Sequence, residues 1–231
     1  MSGDLTPGSR LPSTQQLMAQ YSVTSQTVQR TLNVLKEEGF LVGRAGVGVY
    51  VRDDAPLIIT PVAYMPSPGP DMPYPWMTEA AKRAQRGSVK LLKVAEVCPP
   101  AAIAEVFGLG EGEQVSLRHQ LLMLNDEPAE LASIYHPLSI AKGTPLSERR
   151  KIPGGSSRIL TDLGYPPREW TDHLSARLPT TDELETLNLP DDVPVLRTFR
   201  TVYTDKTRSI EVQILIKGGH LYELAYHQTI A

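Results

Sequence analysis

Apolar residues recur at helical spacing near the start of the chain. Val28, Leu32 and Leu35 fall on one face of a segment from Ser25 to Glu38, and the opposite face is polar. Thr24 suits the amino-terminal cap of that helix, because a hydroxyl there satisfies an amide the helix leaves open, and Gly39 suits its stop. Upstream, "LPSTQQLMAQY" predicts a shorter helix entered at Ser13, where Ser13 and Gln16 have the spacing of a capping box. Downstream, "FLVGRAGVGVYV" breaks into two short β-rich runs around Gly43 to Gly48, a hairpin whose tip carries Arg44. Helix, turn, helix and hairpin is the order of a winged helix-turn-helix.

The pattern then changes. Seven prolines lie between Pro56 and Pro75, a density that removes amide donors and fixes φ, so no regular structure is expected there. We read a unit over residues 1–53, a linker over 54–75 and a second unit over 76–231, each unit of ordinary size for its type. In the second unit, "TEAAKRAQRG", "PPAAIAEVFGLG", "GGSSRILTDLGY" and "TTDELETLNL" predict helices. "SVKLLKVAEV", "EQVSLRHQLLML", "AELASIYHP", "EWTDHLSARL", "PVLRTFRTVYT", "SIEVQILIK" and "LYELAYHQTI" predict strands, with a hairpin through "NDEP" and a turn at Asp205 to Thr207. Strands joined by short connections predict an α+β domain with a mainly antiparallel sheet.

Composition narrows the function classes. The chain carries a formal charge of -3, but residues 1–52 hold five Lys/Arg against three acids, about +2, which leaves about -5 for the rest. A mildly basic head thus precedes an acidic body. Cys98 is the only cysteine, so no intrachain disulfide and no cysteine-built zinc site is available, and the five histidines lack paired metal spacing. No cofactor or metal is expected. With no apolar run of spanning length and no secretory pattern at the amino terminus, we expect a cytoplasmic protein.

The stretch Leu5 to Val51 resembles the amino-terminal domain of the GntR family of bacterial transcription regulators. The matching pieces are Pro7-Gly8, Leu11-Pro12-Ser13, Val23-Thr24, Thr27-Val28, Leu35 to Gly39 and Gly46 to Val51. The second unit resembles the UTRA effector-binding domain of the HutC-type branch, itself similar to the chorismate lyase fold, through "LRHQLLMLNDEPAELASIYHP", the helix before "LGY", "PVLRTFRTVY" and "SIEVQILIK". The resemblance implies a further helix ahead of the Pro-Gly turn, where only Met1 to Thr6 stand, and from this we expect a shortened chain or a start placed too far downstream. It also implies arginines where this chain has Gln15, Ser25 and Gln29.

Those substitutions set the candidate chemistry. Glutamine pairs in bidentate fashion with adenine as arginine does with guanine, so Gln26 and Gln29 are the candidate base readers and favour A·T. Thr24, Ser25 and Thr27 suit phosphate or base contacts, and Arg10, Arg30 and Arg44 supply backbone anchoring. Ser13, Gln15 and the wing glycine Gly46 complete the DNA-facing candidates. Few cations per half-site imply two half-sites bound by a homodimer on a pseudopalindromic operator in double-stranded DNA.

In the second unit, Arg118 and Glu130 lie on opposite arms of the "NDEP" hairpin and count as roughly level, while Glu211 sits mid-strand in an apolar run. Ser156 and Ser157 follow two glycines at a helix start, where free amides favour an anion. By resemblance, Arg118, Glu130 and Glu211 are effector contacts, and an anionic or sugar-like small molecule is the expected effector. Together these features predict a ligand-responsive regulator, a repressor rather than an activator, and not an enzyme. The competing readings are a second domain that only dimerises, and a chorismate lyase-like enzyme.

Overall fold

The computed structural model describes residues 5–44, 47–52, 57–59, 74–82, 84–190, 193–205 and 208–225. Helix α1 (Thr14–Tyr21) is entered at Ser13, whose hydroxyl accepts from the Gln16 amide while the Gln16 side chain accepts from the Ser13 amide, the reciprocal cap anticipated above. Helix α2 (Ser25–Glu37) is capped by Thr24. Gly39, at φ +78°, then turns the chain in the left-handed region that side chains rarely adopt. Strands β1 (Leu41–Arg44) and β2 (Gly48–Val51) pair antiparallel as the wing. The core beneath is small: Val28, Leu32 and Leu41 are buried, with Leu17, Met18 and Leu35 half-buried around them.

The linker departs from expectation at one point. Leu57–Ile59 form a strand, β3, which pairs parallel with β10 (Tyr222–Leu224) near the far end of the chain. Prolines flank this triplet rather than interrupt it, so its amides remain free to join a partner that only the tertiary fold supplies. The rest of the linker and the end of the run "LYELAYHQTI" lie outside the described residues.

Helix α3 (Pro75–Ala81) opens the second unit, earlier than "TEAAKRAQRG" suggested, because Pro75 occupies the first helical position; it does not extend through that run, since Ala84 adopts φ +55°. Six strands follow: β4 (Gly87–Val97), β5 (Val115–Leu124), β6 (Glu127–Pro137), β7 (Glu169–Arg177), β8 (Val195–Tyr203) and β9 (Ser209–Gly218). They form one antiparallel sheet in the order β4-β5-β6-β9-β8-β7. Helix α4 (Ala101–Phe107) and α7 (Thr181–Thr186) contribute to the apolar layer on one face, with Ile103, Val115, Val212, Leu187 and Ile216 at its centre. Helix α3, the short α5 (Leu138–Ala141), a 3-10 turn at Pro145–Ser147 and α6 (Ser156–Asp162) serve the other, through Trp76, Ile140, Leu146 and Leu160. Among the described residues no helix is long and apolar enough to cross a membrane.

The β5–β6 hairpin corrects the predicted register. Its turn is only Asn125-Asp126, both at positive φ, so Glu127 and Pro128 already belong to β6. A bulge between Leu122 and Met123 offsets the pairing beyond it by one residue. Arg118 therefore faces Ile134, and Glu130 faces Leu122. The two candidates share a face but stand four positions apart, about 13 Å along the strand.

Candidate functional site

On α2, Gln26, Gln29 and Arg30 are exposed on the side away from Val28 and Leu32, spaced three and four residues apart so that they form one ridge. Asn33 continues it and is exposed too, a member that the sequence reading did not single out. Ser25 and Thr27 are exposed in the first turn, and Thr24 accepts from the Thr27 amide at 3.3 Å. Gln15 lies exposed on α1, beside the Ser13 cap. Arg10 bridges to Tyr50 of the wing and lays its guanidinium over Gly48, where a Cβ would stand 2.8 Å from its Nε. Gly48 also sits at φ +139°, so both the backbone and Arg10 require its bare α-carbon. Arg44 ends β1 in the wing; Gly46 lies outside the described residues.

The second site is a cavity between α3, α6 and the sheet, with Tyr74, Trp76, Leu174 and Leu215 among its apolar walls. Strand alternation supplies its polar floor: Asp172, Arg200 and Gln213 occupy one row across β7, β8 and β9, and Thr198 occupies the next. Arg200 donates twice to Asp172, at 2.7 Å each, with its guanidinium 5.1 Å above the Trp170 ring. Burial opposes the charge on Arg200, but the Asp172 hydrogen bonds and the Asp172, Glu130 and Glu211 charges outweigh it, so its pKa is raised. Lys217 meets Glu130 at 2.5 Å with both side chains buried. Burial, then the Glu130 and Glu211 charges, pushes the Tyr74 phenol above its ordinary range, which keeps it a neutral donor.

Of the predicted effector residues, Glu130, Ser156 and Ser157 line this cavity. Glu211 stands one layer behind. Its carboxylate is paired with the fully buried His136 at 2.8 Å and bonded to Ser156 and Gln213, both of which reach the cavity. Burial opposes ionisation of Glu211 most strongly, and the hydrogen bonds and the His136 charge overcome it, leaving its pKa below the ordinary value. His136 is therefore the buried partner of a carboxylate rather than plain packing.

Arg118 goes elsewhere. Its guanidinium donates to the carbonyls of Pro145, Leu146, Glu148 and Arg150, over 2.6–3.3 Å, and it does not line the cavity. It clamps the loop after the 3-10 turn, and no ion pair joins it to Glu130. Burial and the neighbouring Arg150 lower its pKa. The sequence reading also missed Asp172, Thr198, Arg200, Gln213 and Lys217. A signal for part of this set was present: Glu211, Gln213 and Lys217 alternate in an otherwise apolar strand, and a polar stripe with period two on a covered sheet marks a lined space.

Each of the two units matches a known protein family. Residues 1–51 match the bacterial regulatory proteins of the gntR family, and residues 82–223 match the UTRA domain. The HTH-type transcriptional regulator SCO4628 of Streptomyces coelicolor, itself uncharacterised, is 27% identical over 97% of this chain and 86% of that protein. The HTH-type transcriptional repressor NagR of Bacillus subtilis is 23% identical over 97% of this chain and 88% of its own length. The crystal structure of PhnF from Mycobacterium smegmatis shares the fold, with a TM-score of 0.65 at 17% identity over 99% of this chain and 95% of that one.

Proposed function

This chain belongs to the gntR family of transcriptional regulators that carry a UTRA domain, and we propose that it is a homodimeric repressor released from its operator by a small polyhydroxylated or anionic metabolite. The family is one of regulators rather than enzymes, which removes the lyase reading. The repressor assignment leans on NagR, a repressor similar along nearly its whole length.

The observation that carries the effector part is the polar floor of the cavity. Hydroxyls, an amide and two ion pairs converge inside aromatic and aliphatic walls, the composition of a small-molecule site. Lys217 and Arg200 already hold carboxylates, so an anionic group on the effector would exchange with Glu130 or Asp172, whereas hydroxyls add to the existing network without breaking a pair. Ser156, Ser157, Thr198 and Gln213 suit such hydroxyls. Effector binding shifts the population of dimers whose two α2 helices match the half-site spacing, and the operator is released in the cytoplasm.

Operator selection from random duplexes with the full-length protein tests the DNA part. The expected product is an inverted repeat with A·T where Gln26 and Gln29 meet the major groove. Guanine at those positions defeats the assignment of the readers. Displacement from the selected operator by neutral sugars, sugar phosphates and dicarboxylates, each tested separately, then identifies the effector class. If none of them displaces the protein or raises its Tm, the second domain serves dimerisation only.

A further inference from the structure

Strand β9 carries Gln213, Leu215 and Lys217 into the cavity, ends at Gly218, and turns through Gly219 and His220 into β10. The turn is tied down on both sides. The Gly219 amide donates to the Pro194 carbonyl at 2.7 Å, and the Tyr222 hydroxyl donates to the Ala129 carbonyl at 3.0 Å. At its apex the His220 ring lies between two glycines from different units of the chain. A Cβ on Gly39, just past the end of α2, would stand 2.7 Å from His220 Cδ2. A Cβ on Gly218 would stand 3.0 Å from His220 Cε1. Arg52, at the end of the wing, is near enough for its charge to bear on the ring and donates its own amide to the Phe40 carbonyl at 2.9 Å.

We propose that His220, seated between Gly218 and Gly39, docks the winged helix-turn-helix on the end of β9 and transmits occupancy of the cavity to the recognition helix. Two residues stand between Lys217 and His220, and one stands between the end of α2 and Gly39. A ring wedged against two bare α-carbons has no slack, so a shift of β9 of a few tenths of an ångström displaces Gly39 or breaks the seat. Both glycines are required for space, and Gly39 for its positive φ as well. The transmission half of this proposal rests on reading the cavity as the effector site; the docking half does not.

Two measurements on the full chain in a Cys98→Ser background separate the halves. For docking, spin labels at Gln20→Cys on α1 and Thr171→Cys on β7, both exposed positions, report the distance between the units. His220→Ala is expected to broaden the distribution at least twofold while the tryptophan unfolding transition keeps its midpoint. An unchanged distribution overturns the seat. For transmission, Leu174→Cys, which lines the cavity, is modified with benzyl methanethiosulfonate as a tethered occupant. Modification is expected to weaken binding to the selected operator at least tenfold with His220 present and less than twofold in His220→Ala. Equal weakening in both overturns His220 as the link and leaves the cavity reading intact. No weakening in either, with the distance result as expected, overturns transmission through the cavity and leaves the docking seat.

Discussion

The winged helix-turn-helix and the sheet domain place polar side chains in opposite ways. In the first, Gln26, Gln29 and Arg30 stand in water on a helix whose apolar side covers a core of three buried residues. In the second, Glu130, Arg200, Glu211 and Lys217 are each less than a tenth exposed, and each is held by a partner of opposite charge or by histidine. A reader of DNA offers its groups outward and needs only a frame to aim them. A pocket must take polar groups out of water, so every one needs a partner in the resting state. The first arrangement is cheap to alter one residue at a time, and the second is not.

Breaking a buried pair tests that contrast most severely. Glu211→Ala leaves His136, Ser156 and Gln213 without their shared acceptor and is expected to lower stability by about 3–5 kcal/mol. Both tryptophans, Trp76 and Trp170, lie in the sheet domain, so fluorescence in a urea titration reads that domain alone. A loss under about 1 kcal/mol means the pair carries no charge worth protecting.

Next in size, Arg118→Ala removes a guanidinium from four carbonyls and is expected to cost about 2–3 kcal/mol in the same titration. Operator affinity measured by fluorescence anisotropy stays within twofold. If Arg118→Ala instead leaves stability alone and abolishes release by the effector, the clamp assignment is wrong.

On the outward side, Gln29→Ala is expected to reduce discrimination of A·T over G·C at its base pair by about 1–3 kcal/mol, with no change in the tryptophan transition. Anisotropy on matched and substituted operators measures it, and retained discrimination removes Gln29 from the readers. Thr24→Ala tests the frame under those readers. Loss of the cap is expected to cost about 1 kcal/mol, seen as faster amide exchange in the first turn of α2.

The smallest effect is expected from acid at the junction. Burial first, then Arg52, holds the His220 pKa down to about 4, below its ordinary 6.5. An undocked His220 takes up a proton before the docked one does. The seat is therefore fully favourable above pH 6.5 and weakens as pH falls from 6.5 towards 4. Partial exposure of the ring screens the effect and keeps it small. The label-to-label distance in the parent chain should broaden over that interval, and in His220→Ala it should show no pH dependence there.

Legibility in the sequence followed the same division. The caps at Ser13 and Thr24, the stop at Gly39, the wing hairpin and the exposed ridge of α2 were all readable, because each depends on neighbours within about ten residues. The strands of the sheet were readable from their composition. Their alignment was not: Arg118 is the seventh residue before Asn125 and Glu130 only the fourth after Asp126, and with the bulge at Leu122 the two stand four positions apart rather than level. Asp172 and Arg200 are 28 residues apart, and His136 and Glu211 are 75 apart, so neither pairing leaves a local trace.

The amino-acid sequence by itself determined the two units, the class of each, and the polar side chains that α2 exposes, since hydrophobic period and capping act over a single turn. Only the tertiary structure decided which charges meet in the cavity, that Arg118 holds a loop instead, that Leu57–Ile59 become a strand, and that His220 rests on Gly39. Those contacts join strands through register and units through bare glycine α-carbons, and both are set by packing at long separation rather than by any residue's own preference.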